Sequence, residues 1–291
     1  SRFGGMDSCL RRNDDSSCLS ATRCRMAVVL VASFILLSDC ISSTPGDFFR
    51  YQVQLKSIPQ PPQLQVLLTA YNQANTAAIK ITGPYAIYPY TPDRKSAFTA
   101  PTQITTRPAG TVKASVSDDG RINWGQVKLD QTDVVIVPDS GLIHLEPRQY
   151  KGRLRVKAQN GKLMLINIID LENYLPGVVS SEMDESWPAN ALAAQAITAR
   201  SFAFYRIKQS KLKASNLDYD LTDDIYSQVY RGEERTGPNT RRAVEETRGI
   251  ILAYDGKIFN SLFHDTCGGQ TEPGELVFKL TPLPPLAGRL C

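Results

Sequence analysis

The spacing of hydrophobic positions changes character twice along the chain. From about Leu64 to Asp170, short apolar runs recur at 66–71, 77–82, 85–90, 110–116, 133–138, 153–158 and 162–169, separated by turn residues. Runs of this length, rich in Val, Ile and Tyr and bounded by Gly, Asp or Asn, predict strands. Asn160-Gly161 sits between two of them and predicts a tight hairpin. The pattern then switches to helical spacing over 187–208, where Leu192, Ala196, Ala199, Ala203 and Ile207 recur at steps of three and four. Ser186 is a candidate N-cap, and Pro188 is tolerated in a first turn. A second helix is predicted over 240–248, followed by a hairpin around Asp255-Gly256 and a loop at Cys267-Gly268-Gly269. The sum is an α+β protein, with a β-rich N-terminal half and a helix-containing core after it.

The N-terminal region reads differently. Residues 26–37 form an apolar run preceded by Arg23 and Arg25. It is too short for an ordinary membrane-spanning helix and suits the centre of an export signal. A buried core segment is the plainer alternative. The ending Leu37-Ser38-Asp39-Cys40 is similar to a lipoprotein cleavage box, with Cys40 the residue to be lipidated; plain secretion and an uncleaved anchor stay open. Residues 1–25 lack apolar periodicity and are expected to be an appendage preceding a start at Met26. The expected organisation is therefore a leader over 1–25, a signal over 26–40, a linker with a short strand over 41–63, a β-rich region over 64–149 and a core over 150–291.

Composition narrows the classes further. Hydrophobic residues make up 42% of the 291 and charged residues 21%, which excludes wholesale disorder and a polytopic membrane protein. The net charge of +4 falls to +2 without residues 1–25. No basic stripe tracks nucleic-acid phosphates, so a nucleic-acid partner is not expected. Four of the six cysteines lie in the first 40 residues, which leaves Cys267 and Cys291.

Candidate chemistry gathers around the main helix. Glu182 ends an apolar approach, Val178-Val179-Ser180-Ser181, where partial desolvation could make it a proton donor. A dipole-stabilised acid at the helix N-terminus is the alternative. Arg200 lies among alanines on the buried side of the helix, set either to bind an anionic or carbohydrate group or to pair with a buried carboxylate. Alternation points Gln228 and Tyr230 to one side, and Gly268-Gly269 permits close backbone approach. His264 with Cys267 lacks the further ligands of a closed zinc site, and as a nucleophilic pair it is unspecific. In an exported protein a Cys267–Cys291 disulfide is a third option.

Taken in order, the segments at 173–183, Trp187-Pro188, 194–203, 228–232, 243–249 and 263–271 resemble the stage II sporulation protein D family over roughly 150–271. The resemblance implies an exported protein of mixed α and β structure that acts on peptidoglycan glycan strands. It implies either a lytic transglycosylase or a non-catalytic activator of a cell-wall amidase; membrane anchoring through the N-terminus is the expectation that the apolar run and Cys40 leave open. It carries the family's essential glutamate onto Glu182, its helix arginine onto Arg200, its Gln-x-Tyr onto Gln228 and Tyr230, and its histidine before the Gly-Gly turn onto His264. Arg200 and Tyr230 would join Glu182 in catalysis, with Gln228, His264, Gly268 and Gly269 binding substrate. Some members place His and Cys just before the Gln-x-Tyr segment for zinc. Here Tyr226 and Ser227 stand there, so no metal and no other cofactor are expected.

Overall fold

Asn160 and Gly161 both take left-handed backbone angles, φ 53° and 73°, which a two-residue hairpin turn of this hand demands. They join the strands Arg153–Gln159 and Lys162–Asp170, paired antiparallel from Gln159↔Lys162 to Arg153↔Ile168. This hairpin is the centre of a seven-stranded sheet. The computed structural model describes residues 53–72, 74–91, 103–212, 217–266 and 268–290. The expected signal with Cys40, and the expected pair Cys267 and Cys291, lie outside them.

Among the described residues the strands form three sheets. In the seven-stranded sheet, Lys162–Asp170 is flanked by Gln63–Leu67 on its other side, and Arg153–Gln159 continues to Asp133–Pro138, Tyr85–Pro89 and Thr105–Arg107. A short edge strand, Leu221–Thr222, runs parallel to Gln63–Leu67. Residues Leu165 to Ile169 are consecutively buried, so both faces of the central strand are covered. The six-stranded sheet is built around Thr76–Ile81 and Gly110–Val116. Its Trp124 donates an indole N–H to Tyr85 Oη at 2.9 Å, edge to face at 6.2 Å, which ties it to the larger sheet.

The third sheet is small. Val53–Ser57, within the stretch expected to link, pairs along its length with Ile250–Tyr254. The latter turns at Asp255-Gly256 into Lys257–Ile258, as the sequence pattern predicts.

Among the described residues, four α-helices follow the β-rich half: α1, Leu171–Glu182; α2, Ala189–Leu212; α3, Pro238–Glu246; and the short α4, Gly274–Phe278. The α+β expectation holds. Helix α2 starts at Ala189, three residues past the expected cap Ser186, and buries Leu192, Ala196, Ala199, Ala203 and Ile207 at 1% exposure or less. Helix α1 differs from the sequence expectation, which saw only an apolar approach. Asp170 caps it by accepting the Glu172 N–H at 2.9 Å. Burial of Leu171, Tyr174, Leu175, Val178 and Val179 outweighs the cost of Pro176 and Gly177 within it.

The described residues divide into two units, one within Gln52–Ser261 and a second from Leu262 to Leu290. All three sheets and α1 to α3 belong to the first. In the second, α4 leads to a single 3-10 turn at Pro284–Leu286, and Thr271 and Arg289 exchange backbone hydrogen bonds at 2.7 and 3.2 Å.

Candidate functional site

Glu182 is the last residue of α1, not an acid at the start of α2. The carbonyl end of α1, with its partial negative charge, therefore lies beside this carboxylate. Glu182 is half-buried, and its Oε1 accepts the backbone N–H of Val229 at 3.3 Å. Val229 belongs to the loop that leaves Leu221–Thr222 and ends at Gly232. The carboxylate and this loop make up the candidate site.

Close approaches hold the loop to α1 on one side and to the strand Arg148–Tyr150 on the other. A Cβ added at Gly177 would lie 2.4 Å from Gly232 O and 2.7 Å from the Tyr230 ring. Gly232 itself has φ 64°, and a Cβ there would lie 1.9 Å from Gln149 O, so only glycine fits at either position. Asp223 fixes the start of the loop. Its Oδ1 accepts from Thr69 N–H at 2.8 Å and Thr69 Oγ1 at 2.6 Å, and its Oδ2 pairs with Arg148 at 2.9 Å.

Gln228 and Tyr230 do point to one side, into the interior. The Tyr230 hydroxyl donates to Asn167 Oδ1 at 3.0 Å, and its ring packs 4.6 Å from Tyr174 and 5.7 Å from Tyr150. Burial pushes its phenol well above the usual range, so it serves as a neutral hydrogen-bond donor. Gln228 donates to Ala199 O at 3.2 Å and accepts from Tyr174 Oη at 3.3 Å.

Arg200 is wholly buried, and of its two alternatives the pairing with a carboxylate is the one seen. Its Nε and Nη2 grip Glu172 Oε1 and Oε2 at 2.9 and 2.8 Å. It also donates to Val244 O at 3.1 Å and Ile250 O at 3.2 Å, while Glu172 Oε1 accepts Gly249 N–H at 3.1 Å. One guanidinium thereby joins α1, α2, α3 and the strand after it. No part of Arg200 reaches solvent, and Gln228 and Tyr230 are 1% exposed, so these three stand behind the site.

The other acids nearby are committed to structure. Asp184 Oδ1 accepts Ser186 N–H at 2.9 Å, and the Ser186 contacts hold its carboxyl below the usual range. Glu185 Oε1 accepts Asn239 N–H at 2.6 Å, capping α3. Asp224 Oδ1 accepts from Thr222 Oγ1 at 2.7 Å and from Tyr226 N–H at 3.1 Å. Ser227, where a zinc ligand falls in the resemblance, accepts Thr222 N–H at 3.2 Å and closes this turn. Among the described residues no group of three or more His, Cys, Asp or Glu is arranged to hold a metal. His264, Gly268 and Gly269 are exposed and belong to the second unit. A surface depression of about 400 Å³ among Lys56, Phe204, Lys208 and Lys257 contains none of the residues singled out from the sequence.

Glu172 and Asn167 are the supports that sequence reasoning did not assign, whereas Asp223 reads from the sequence as a turn residue. Glu172 had a signal, one of only two carboxylates, with the cap Asp170, in the largely apolar stretch from Leu163 to Val179.

The fold and this site define a mixed α and β domain that presents one half-buried glutamate at the end of an apolar helix. Residues 159–254 match the family model described as Stage II sporulation protein, and this segment of the chain belongs to that family. It is 31% identical over 212 residues to an uncharacterized protein of Brachyspira hyodysenteriae, covering 72% of this chain and 54% of that one. It is 25% identical over 272 residues to the amidase enhancer of Bacillus subtilis, covering 89% and 37%. It is 34% identical over 119 residues to the stage II sporulation protein D of Bacillus amyloliquefaciens, covering 37% and 34%. The chain thus spans about half or less of the length of these curated relatives.

Proposed function

We propose that this protein is an exported, cell-wall-acting lytic transglycosylase in which Glu182 serves as acid and then as base. The observation that carries the reading is the half-buried Glu182 carboxylate at the end of α1, which accepts the Val229 N–H of the loop at 3.3 Å. A glycosidase that uses water ordinarily needs two carboxyl groups flanking the bond. A single carboxyl suffices when the sugar supplies its own nucleophile. Protonated Glu182 gives its proton to the leaving glycosidic oxygen as the bond to the anomeric carbon breaks. The resulting carboxylate then takes the proton of the muramic acid 6-hydroxyl as that oxygen bonds to the same carbon. The product is a 1,6-anhydro ring, no water is consumed, and Glu182 regains its proton. Arg200, Gln228 and Tyr230 act in this reading as positioning residues, holding α1 and the loop so that the carboxylate is fixed before substrate arrives.

The family match and the likeness to an amidase enhancer support a role at the cell wall. The latter also favours a second reading, a non-catalytic activator of a wall amidase on the same fold. Digestion of purified peptidoglycan, intact and stripped of stem peptides, followed by mass spectrometry separates the two. Anhydro-muropeptides are expected from the wild type and none from Glu182→Gln. Equal yields from both proteins, or no product from the wild type, would remove the catalytic reading, and amidase stimulation retained by Glu182→Gln would favour the activator.

A further inference from the structure

The loop that meets Glu182 carries two apolar side chains out into water. Ile225 is 82% exposed and Tyr226 83% exposed, whereas Leu221 on the strand before the loop and Tyr230 near its end are buried. Adjacent large apolar groups held in solvent forgo the gain of burial, and beside a polar site they mark a contact surface. Their backbone is well anchored. Asp224 holds the Tyr226 N–H, Ser227 N–H donates to Asp224 O at 3.1 Å, and Ser227 Oγ accepts from Thr222. A tyrosine on such a support loses little freedom on contact, because only two side-chain torsions remain to be ordered. Three residues further on, the Val229 N–H meets the Glu182 carboxylate. Three residues span at most about 11 Å, so the Tyr226 backbone lies within that reach of the N–H that holds Glu182.

Ring chemistry selects the ligand. A pyranose chair presents C–H bonds on its faces and hydroxyls around its edge, and its C–H face packs on the electron-rich face of an aromatic ring. We infer that Tyr226 is the stacking platform for a pyranose ring of the glycan next to the bond that Glu182 cleaves, with Ile225 extending the apolar contact. Tyr226 is thereby a substrate-binding residue with no part in proton transfer. The assignment rests on the reading of Glu182 as the site of glycan cleavage.

The test uses the full chain carrying Glu182→Gln, which does not consume its ligand, titrated calorimetrically with soluble β-1,4-linked N-acetylglucosamine oligomers. In that background Tyr226→Ala should weaken binding about three- to tenfold. Tyr226→Trp should retain it, and Leu212→Ala, an exposed apolar control on α2, should leave it unchanged. Binding by Tyr226→Ala within about twofold of its parent, no binding by the parent, or an equal loss in Leu212→Ala overturns the assignment. Product analysis on the otherwise wild-type chain judges the cleavage reading separately. Glycan bound through Tyr226 without anhydro product removes the cleavage reading and overturns the placing of the platform beside a scissile bond, leaving Tyr226 as a glycan contact; undiminished binding by Tyr226→Ala alongside anhydro product removes the platform alone.

Discussion

Arg200 and Glu172 are 28 positions apart and share one buried bidentate contact. Removing one partner strands the other's charge in the interior, so Arg200→Met or Glu172→Leu alone should cost about 3–5 kcal/mol in urea denaturation. The double substitution should recover part of that loss, because no unpaired charge remains. Arg200→Lys should also destabilise, since an ammonium cannot reproduce the planar fork that also reaches Val244 O and Ile250 O. At this scale the sequence was half legible. An arginine among alanines on a helix face announced a buried charge, but its partner depended on α1, which Pro176-Gly177 concealed. Tyr226 was visible as a departure from the family's pattern; its exposure was not, because loop orientation is set by Asp223, Asp224 and Ser227 together. Each of those side chains reads in isolation as an ordinary turn former.

Helix α1 shows why elements with strong local signals were readable and this one was not. The hairpin at Asn160-Gly161 and the alanine face of α2 carry their instructions within a few residues. Helix α1 is specified by what it packs against, and tertiary burial overrides its weak propensity. Its contact with the Gln228–Gly232 loop gives a sharp prediction. Gly177→Ala places a methyl 2.4 Å from Gly232 O, so the loop must yield, and stability should fall by about 1–3 kcal/mol in thermal or urea melts. Under the proposed chemistry the same substitution should lower kcat more than it raises KM, because it displaces Val229 from Glu182 while leaving the exposed tip of the loop in place. Gly110→Ala, which meets nothing within 4 Å, should stay within about 0.5 kcal/mol of the parent.

Across the whole first unit, ion pairs stitch distant strands and loops. Arg155 grips Asp133 at 2.6 Å and Asp218 at 2.7 Å, and Lys157 meets Asp218 at 2.7 Å. Burial works against the charge on Asp218, but the hydrogen bonds and charges of Lys157 and Arg155 outweigh it and hold this carboxyl below its usual range. A depressed folded value means that its stabilising contribution is complete above the unfolded carboxyl range, near pH ~4, and fades as pH falls through the folded value. Asp218→Asn should therefore lower the melting temperature at pH 7, and the gap from wild type should close on acidification below pH ~4. Burial shifts neighbouring Asp133 the other way, so Asp218 alone carries this prediction.

The boundaries of the family match have a consequence for inheritance. Residues 159–254 begin at the final residue of Arg153–Gln159, yet the strand that follows is zipped on one side to Arg153–Gln159 and on the other to Gln63–Leu67. The stretch most readily traced between relatives is thus cut out of the middle of a sheet. Transplanted by itself it leaves both edges of its longest strand raw, and it should show no cooperative melt by circular dichroism, whereas residues 52–261 should. A descendant that borrowed the glutamate would have to borrow the strand Gln63–Leu67, more than a hundred positions upstream, as well.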